Sequence, residues 1–346
     1  MGVSVVSGSS FEDLQRDVWK TGRCSGCGAC VAVCPADAII FCSEQTICPE
    51  NRFYCKEVVD RVPCGACYAV CPRVGTIQGR GLLGEYRSVI AAKAGAEIPH
   101  KQSGGAVTAI LAHALENDMI DAVVTVTEDR FTLQPQSVVI TSAGELIRHA
   151  GSRYAWWVPL LAALKEAVLK KKCRRIAVIG LPCVTEAISL MRKSDNDLVR
   201  PYARSIRLVL GLFCTETFDY DHLVGDILGR RHQLRPYDIE RLNVKGGLDV
   251  TKTDGEVIRI PLKELEEAIR PGCTICTDLT ARDADISAGA IGSPDGYTTL
   301  IIRSGVGEAF VHSAVAAGAL IVDETIDQQP IESLAAKKAA RGIPRG

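Results

Sequence analysis

The chain has 346 residues and a formal charge of -1, from 40 Lys and Arg set against 41 Asp and Glu. That length exceeds one ordinary core and suits one small and one medium domain, while the balanced charge argues against a polyanion-binding surface and hence against a nucleic acid partner. No apolar run of about 18 residues is present, and Met1 to Ser10 has neither a basic nor an apolar leader segment, so a cytoplasmic protein with no direct membrane span is expected.

Ten of the fifteen cysteines precede Pro72, largely in CxxC spacings, and this distribution reads as metal ligation rather than a disulfide scaffold. The odd total leaves at least one thiol as plain structure. Cys173, inside the basic run Lys170 to Arg175, is the candidate.

From the N-terminus to about Arg80 the chain is dominated by Cys, Gly and Pro and should fold only around its metal. Cys24-x-x-Cys27-x-x-Cys30-x-x-x-Cys34-Pro35 is the run that grips a 4Fe-4S cluster with three thiolates and sends the fourth to a neighbouring cluster. Gly26 and Gly28 let the loop wrap with its amides toward sulfur. A second run, Cys64-x-x-Cys67-x-x-x-Cys71-Pro72, carries Arg61 where a first cysteine would stand, so its missing ligand must come from upstream. Cys55 is the first choice, with Cys48 and Cys42 behind it. Cross-ligation then gives Cys24, Cys27, Cys30 and Cys71 to one cluster and Cys34, Cys55, Cys64 and Cys67 to another. A structural zinc site is the alternative, disfavoured because zinc loops do not need the three-thiol run.

Beyond the glycine-rich join Gly79-Arg80-Gly81, short apolar runs alternate with helical stretches, the pattern of an α/β domain with a mainly parallel, doubly wound sheet. Strands are expected at Ser88 to Ala92, Ala122 to Val126, Ile176 to Ile179, Leu208 to Leu212 and Thr298 to Ile302. Helices are expected at Gly105 to Glu116, Val158 to Lys171 and Leu262 to Ile269. Ser103, with Gly104 and Gly105 after it, reads as a loop and N-cap whose free amides suit a phosphate. Trp156 and Trp157 read as core packing, the basic run after Lys170 as a solvated helix end, and Ser287 to Gly296 as a flexible loop. From Ala335 onward a frayed basic helix and a tail are expected.

Two strands end at thiols, Ile176 to Ile179 before Cys183 and Leu208 to Leu212 before Cys214. The carboxyl edge of a parallel sheet is where ligands bind, so both cysteines can face one crevice, and Cys273-Thr274-Ile275-Cys276 can close a four-thiolate site there. Each alone would pass as a small buried hydrophobe. Together they predict a third 4Fe-4S cluster.

Across nearly its whole length the chain resembles the family of beta subunits of coenzyme F-420 hydrogenases and dehydrogenases. The motifs are KQSGGAVTAIL at Lys101, GSRYA at Gly151, GLPC at Gly180, GLFC at Gly211 and the block CTICTDLTARDADISAGAIGSPDGYTTLIIR from Cys273. The resemblance implies an FAD-binding α/β domain over residues 81–346 carrying one 4Fe-4S cluster, joined to a ferredoxin-like domain over residues 1–80 carrying two. It implies Lys101, Ser103, Gly104, Gly105, Thr108, Arg153, Tyr154, Ser287, Gly289, Gly292 and Thr298 as cofactor neighbours. It further implies hydride exchange between coenzyme F-420 and FAD, with single electrons passing to a redox partner or a larger oxidoreductase complex, including one docked on a membrane through other subunits. No side chain is assigned as acid or base, because the chemistry belongs to the cofactors. A reductase of the same family acting on another substrate, and a flavin-free polyferredoxin, are the alternatives.

Overall fold

A computed structural model describes residues 9–42, 45–75, 81–156 and 159–341. The join at Gly79 and Arg80, Trp157 and Val158 lie outside the described residues, as do the side chains of Cys42 and Trp156.

The core element is an eight-stranded sheet. In chain order its strands are β1 (Ser88–Ala94), β2 (Ala122–Glu128), β3 (Pro135–Ile140), β4 (Ile176–Gly180), β5 (Ile206–Leu212), β6 (Ile286–Gly289), β7 (Thr298–Ile302) and β8 (Leu320–Asp323), and their spatial order is β8-β1-β7-β6-β5-β4-β2-β3. All five expected strands are present. The expected mainly parallel pairing needs correction: β6-β5, β5-β4 and β4-β2 are parallel, whereas the other four pairings are antiparallel, so the sheet is mixed with a parallel centre. The reason lies in two hairpin-like returns, β2 to β3 and β6 to β7, whose short connections cannot make a crossover.

Helices cover both faces, as a doubly wound sheet requires. One face buries Ile110, Leu111, Leu300 and Phe310 under helices Ala106–Glu116 and Gly305–Ala316. The other buries Val178, Val209, Leu164 and Ile188 under helices Ala162–Lys165, Pro182–Lys193 and Arg200–Ser205. The N-terminal segment joins this second core through Ala29, Ala32, Val33, Ala66 and Val70. All but Val70 belong to two short helices, Ala29–Val33 and Ala66–Ala69, that start after Gly28 (φ 83) and Gly65 (φ 61) and carry Cys30 and Cys67. A left-handed residue at that point is what turns each cysteine loop into its helix, and glycine takes it without strain.

Several elements depart from the sequence reading. Ser287 and Gly289 lie in strand β6, not in a flexible loop. The strand is short, small-residued and buried between two neighbours, so it lacks the alternation that marks half-exposed strands. A separate three-stranded antiparallel sheet, Ile239–Val244, Leu248–Lys252 and Val257–Ile260, has its own core with Leu223, Ile227 and Leu265. The C-terminal helix runs from Gln329 to Arg341 and is not frayed at Ala335: Ile331 and Ala335, one turn apart, are buried against Leu83 and Leu279. The basic run is solvent-facing as expected, with Arg175 paired to Asp121 at 2.6 Å.

Candidate functional site

The thiols fall into three electrostatic neighbourhoods. Cys30 lies within electrostatic reach of Cys27, Cys24 and Cys71; Cys67 lies within reach of Cys34, Cys64 and Cys55; and Cys214 lies within reach of Cys273 and Cys276, as Cys183 does of Cys276 and Cys214. Each neighbourhood draws its members from one of the sets expected from cross-ligation and strand ends, with Cys183 influenced by Cys27 of the first set before Cys276 and Cys214 of its own. Cys48 is an electrostatic neighbour of Cys24 and does not line the cavity walled by the second set, and the Cys42 side chain is not among those described. Cys173 is half-buried against the second core, with Asp121 and Lys171 as its charged neighbours.

Cys27 of the first set is the largest thiol influence on Cys183 of the third, and Cys30 also feels Cys67 of the second. The junction between first and third is tight: a Cβ on Gly272 would come 2.1 Å from the Cys24 carbonyl oxygen, and Leu161 N donates to Cys27 O at 3.0 Å. Electrostatic contact thus links the first set to the third and to the second.

Burial dominates the thiol chemistry. It pushes Cys24 and Cys214 up to about 12, and raises Cys27, Cys30, Cys67, Cys71 and Cys183 as well. Working against it, backbone amides two residues on point at sulfur: Gly26 at Cys24, Ala29 at Cys27, Ala66 at Cys64 and Arg73 at Cys71. Such thiols ionise only against a local cation, which iron supplies on ligation.

The surroundings fit a negatively charged centre. Arg270 (0% exposed), Arg73 (2%) and Lys338 (2%) are buried around the third group. Burial alone works against the charge on Arg73, yet the thiols of Cys276 and Cys183, Glu186 and Cys27 outweigh it and raise its pKa. Lys338 follows the same pattern, with Cys214 first among the groups that offset burial. Enclosing a cation without counter-charge costs several kcal/mol. A 4Fe-4S core bound by four thiolates is an anion of the kind that offsets it. None of these three cations was read from the sequence; their signal is adjacency, since Arg73 follows Cys71-Pro72 and Arg270 stands three before Cys273.

The second group walls a small cavity, closed by Cys34, Cys55, Cys64 and Cys67 together with Pro35, Ala38, Ile39 and Asn51. Asn51 Nδ2 is buried there without a hydrogen-bond partner. Glu57 braces the same wall by accepting from Cys64 N and Gly65 N, each at 2.9 Å. Among the described residues no three His, Cys, Asp or Glu side chains group as ligands of one ion.

The glycine turn after Lys101 is built against the sheet. A Cβ on Gly104 would lie 2.5 Å from Ala92 O and 2.9 Å from Thr298 N, and Gly104 N donates to Thr298 Oγ1 at 3.0 Å. Ser103 (φ 47) is not the N-cap; Gly105 (φ 70) holds that position and no side chain caps the helix, which carries Thr108 in its first turn. The first-turn amides of the helix thus have no capping side chain, the condition under which a helix start receives an anion. Gln102 Nε2 donates to Leu242 O at 3.2 Å and Val244 N donates to Tyr154 Oη at 3.4 Å, so the three-stranded sheet is tied to this turn. Arg153 Nε, buried and without a hydrogen bond, is ion-paired with Glu128 Oε1 at 3.6 Å, and Lys101 pairs with Glu97 at 3.0 Å. Other residues of this set are occupied by the fold. Ser287 is wholly buried, accepts from Arg303 Nε at 2.7 Å and donates to Ala281 O at 3.1 Å; Gly289 closes on the Phe213 ring and Gly292 on Ile331. A depression of about 500 Å³ between Met119, Arg175, Arg207 and Phe310 lies at the amino ends of β4 and β5, away from the thiol groups.

Residues 89–165 match the N-terminal part, and residues 173–328 the C-terminal part, of the beta subunit described as that of coenzyme F-420 hydrogenase/dehydrogenase. Residues 17–40 match the 4Fe-4S binding domain. An uncharacterized protein of Methanocaldococcus jannaschii is 39% identical over 96% of this chain and 98% of its own length. One of the subunits of the F(420)H(2) dehydrogenase of Methanosarcina mazei is 34% identical over 86% of this chain and 83% of its own. Among solved structures, a chain of the F-420-reducing NiFe hydrogenase complex from Methanosarcina barkeri superposes with a TM-score of 0.71 at 28% identity, covering 77% of this chain and 93% of that one. The chain belongs to the family of coenzyme F-420 hydrogenase/dehydrogenase beta subunits.

Proposed function

We propose that this chain is the coenzyme F-420-facing component of an oxidoreductase, with FAD on residues 81–346 and a row of three 4Fe-4S clusters leading to a partner protein. The observation that carries the reading is that thiols of the first set have electrostatic neighbours in both of the other sets. Bound FAD would supply the exchange of a hydride with coenzyme F-420 for single electrons, and the clusters would pass those singly.

The chain's own part is to hold and orient. Cys183, Cys214, Cys273 and Cys276 would hold the cluster nearest the flavin, Cys24, Cys27, Cys30 and Cys71 the middle one, and Cys34, Cys55, Cys64 and Cys67 the outermost. Gly104 and Gly105 keep the turn free of side chains, Thr298 fixes it from β7, and Arg153 brings a buried guanidinium whose Nε is ion-paired to Glu128. Lys101, Ser103, Thr108 and Tyr154 flank the same turn and are the remaining flavin or coenzyme contacts we assign. Ser287, Gly289 and Gly292 shape the sheet edge beneath it. The likeness to one component of a dehydrogenase and to a chain of a hydrogenase complex supports a larger assembly as the partner. Among the described residues no helix is long and apolar enough to cross a membrane.

Anaerobically purified protein should contain FAD and iron and sulfide for three clusters per chain. It should also bleach or restore deazaflavin absorbance with a viologen dye. Iron and sulfide without FAD would replace this reading with a flavin-free electron carrier, and FAD with no deazaflavin turnover would point to another substrate.

A further inference from the structure

The first and third thiol groups belong to different parts of the chain, yet one ion pair joins them. Arg73 stands two residues after Cys71, and Glu186 stands three residues after Cys183 on the helix Pro182–Lys193. Arg73 Nη1 donates to Glu186 Oε2 at 3.1 Å and to Pro72 O at 3.3 Å. The arginine side chain is 3% exposed and the glutamate side chain 32%, so the cation is enclosed while its carboxylate reaches toward water. Arg73 Nε is buried without a hydrogen-bond partner. Its electrostatic neighbours include Cys27 from one group and Cys183 and Cys276 from the other.

A single half-buried carboxylate does not account for this burial. An enclosed guanidinium with an idle donor is costly unless further negative charge lies beside it. That charge must come from the thiolate groups on either side. We propose that Arg73 is a cation shared by the two cluster sites, which stabilises an added electron on either and keeps their potentials raised together across the boundary between the modules. In the transfer it assists, one centre is oxidised by one electron and its neighbour is reduced by one, with no proton moved and no bond exchanged. Glu186 opposes this effect, since its negative charge partly cancels the field of the guanidinium. Arg73 is thus a positioning residue for charge, distinct from the ligands themselves. The proposal rests on the three-cluster reading.

The test uses the full chain, purified anaerobically, as wild type, Arg73→Gln, Arg73→Lys and Glu186→Gln. Iron and sulfide per chain are measured first, then the midpoint potential of each cluster by EPR-monitored titration. Arg73→Gln should shift two of the three potentials downward and leave the third, on Cys34, Cys55, Cys64 and Cys67, in place. Arg73→Lys should restore most of the shift, and Glu186→Gln should move the same two potentials upward. Full iron content with no shift, a common shift of all three, or movement in the same direction for Arg73→Gln and Glu186→Gln would each overturn the role of Arg73. If Arg73→Gln fails to load iron, Glu186→Gln decides alone: an upward shift of the pair supports the role, and an unmoved pair removes it. Wild type lacking a third cluster would overturn the cluster assignment instead, and iron content separates that failure from the others.

Discussion

Lys338 Nζ donates to the carbonyl oxygen of Cys214 at 2.5 Å, from the helix Gln329–Arg341 that closes over the strand-end thiols. The contact fixes a loop that would carry a cluster ligand and brings a positive charge to it. Replacing Lys338 by Met keeps the buried stem and removes the charge-assisted bond, which should cost roughly 1.5–3 kcal/mol of stability. Denaturant unfolding of the loaded protein under anaerobic conditions measures it, and an unchanged midpoint would show that this helix does not brace the site.

Cys55 and Cys48 make opposite predictions. Cys55 shares the cavity wall with Cys34, Cys64 and Cys67, whereas Cys48 lies toward Cys24. Cys55→Ala should lose one cluster's worth of iron and sulfide, and Cys48→Ala should lose none. The reverse result in iron analysis would reassign the ligand left open by Arg61.

Asn51 should tune the outermost centre. Its Nδ2 faces the cavity of the second group with no partner of its own, so with a cluster in place it is positioned to donate toward sulfur. A hydrogen bond to a cluster sulfur favours the reduced form. Asn51→Leu should therefore lower the potential of that centre while leaving the other two where they are, as followed by EPR during a redox titration.

Gly104→Ala tests the flavin turn. The added methyl would stand 2.5 Å from Ala92 O and 2.9 Å from Thr298 N, both backbone atoms that cannot swing aside. Overpacking of this kind costs about 1–3 kcal/mol. The variant should release less flavin per chain on denaturation than wild type, with its iron content kept; equal flavin would place the cofactor elsewhere.

The 4Fe-4S binding run at Cys24 was legible because thiol spacing is itself a chemical constraint: three cysteines on one loop have few uses besides a cluster. The five strands that could be read share long apolar or β-branched runs, as at Ile176 and Thr298. Strand β6 escaped because Ser287, Ala288 and Gly289 look like a loop until β5 and β7 bury them on either side. The small antiparallel sheet escaped for another reason: Arg241, Asp249 and Arg259 alternate with apolar residues over strands of six residues or fewer, which periodicity separates poorly from loop. Arg73, Arg270 and Lys338 were invisible as core residues, since a charged side chain is placed inside only when a three-dimensional counter-charge awaits it.

Gly272 has a bearing on how the molecule is made. With only 2.1 Å between a would-be Cβ there and the Cys24 carbonyl oxygen, and with Pro271 packed over Gly22, the two loops meet backbone to backbone. A side chain at position 272 would prise that seam open, so the fit of the cysteine loop at Cys24 against the loop of Cys273 depends on a residue that carries none.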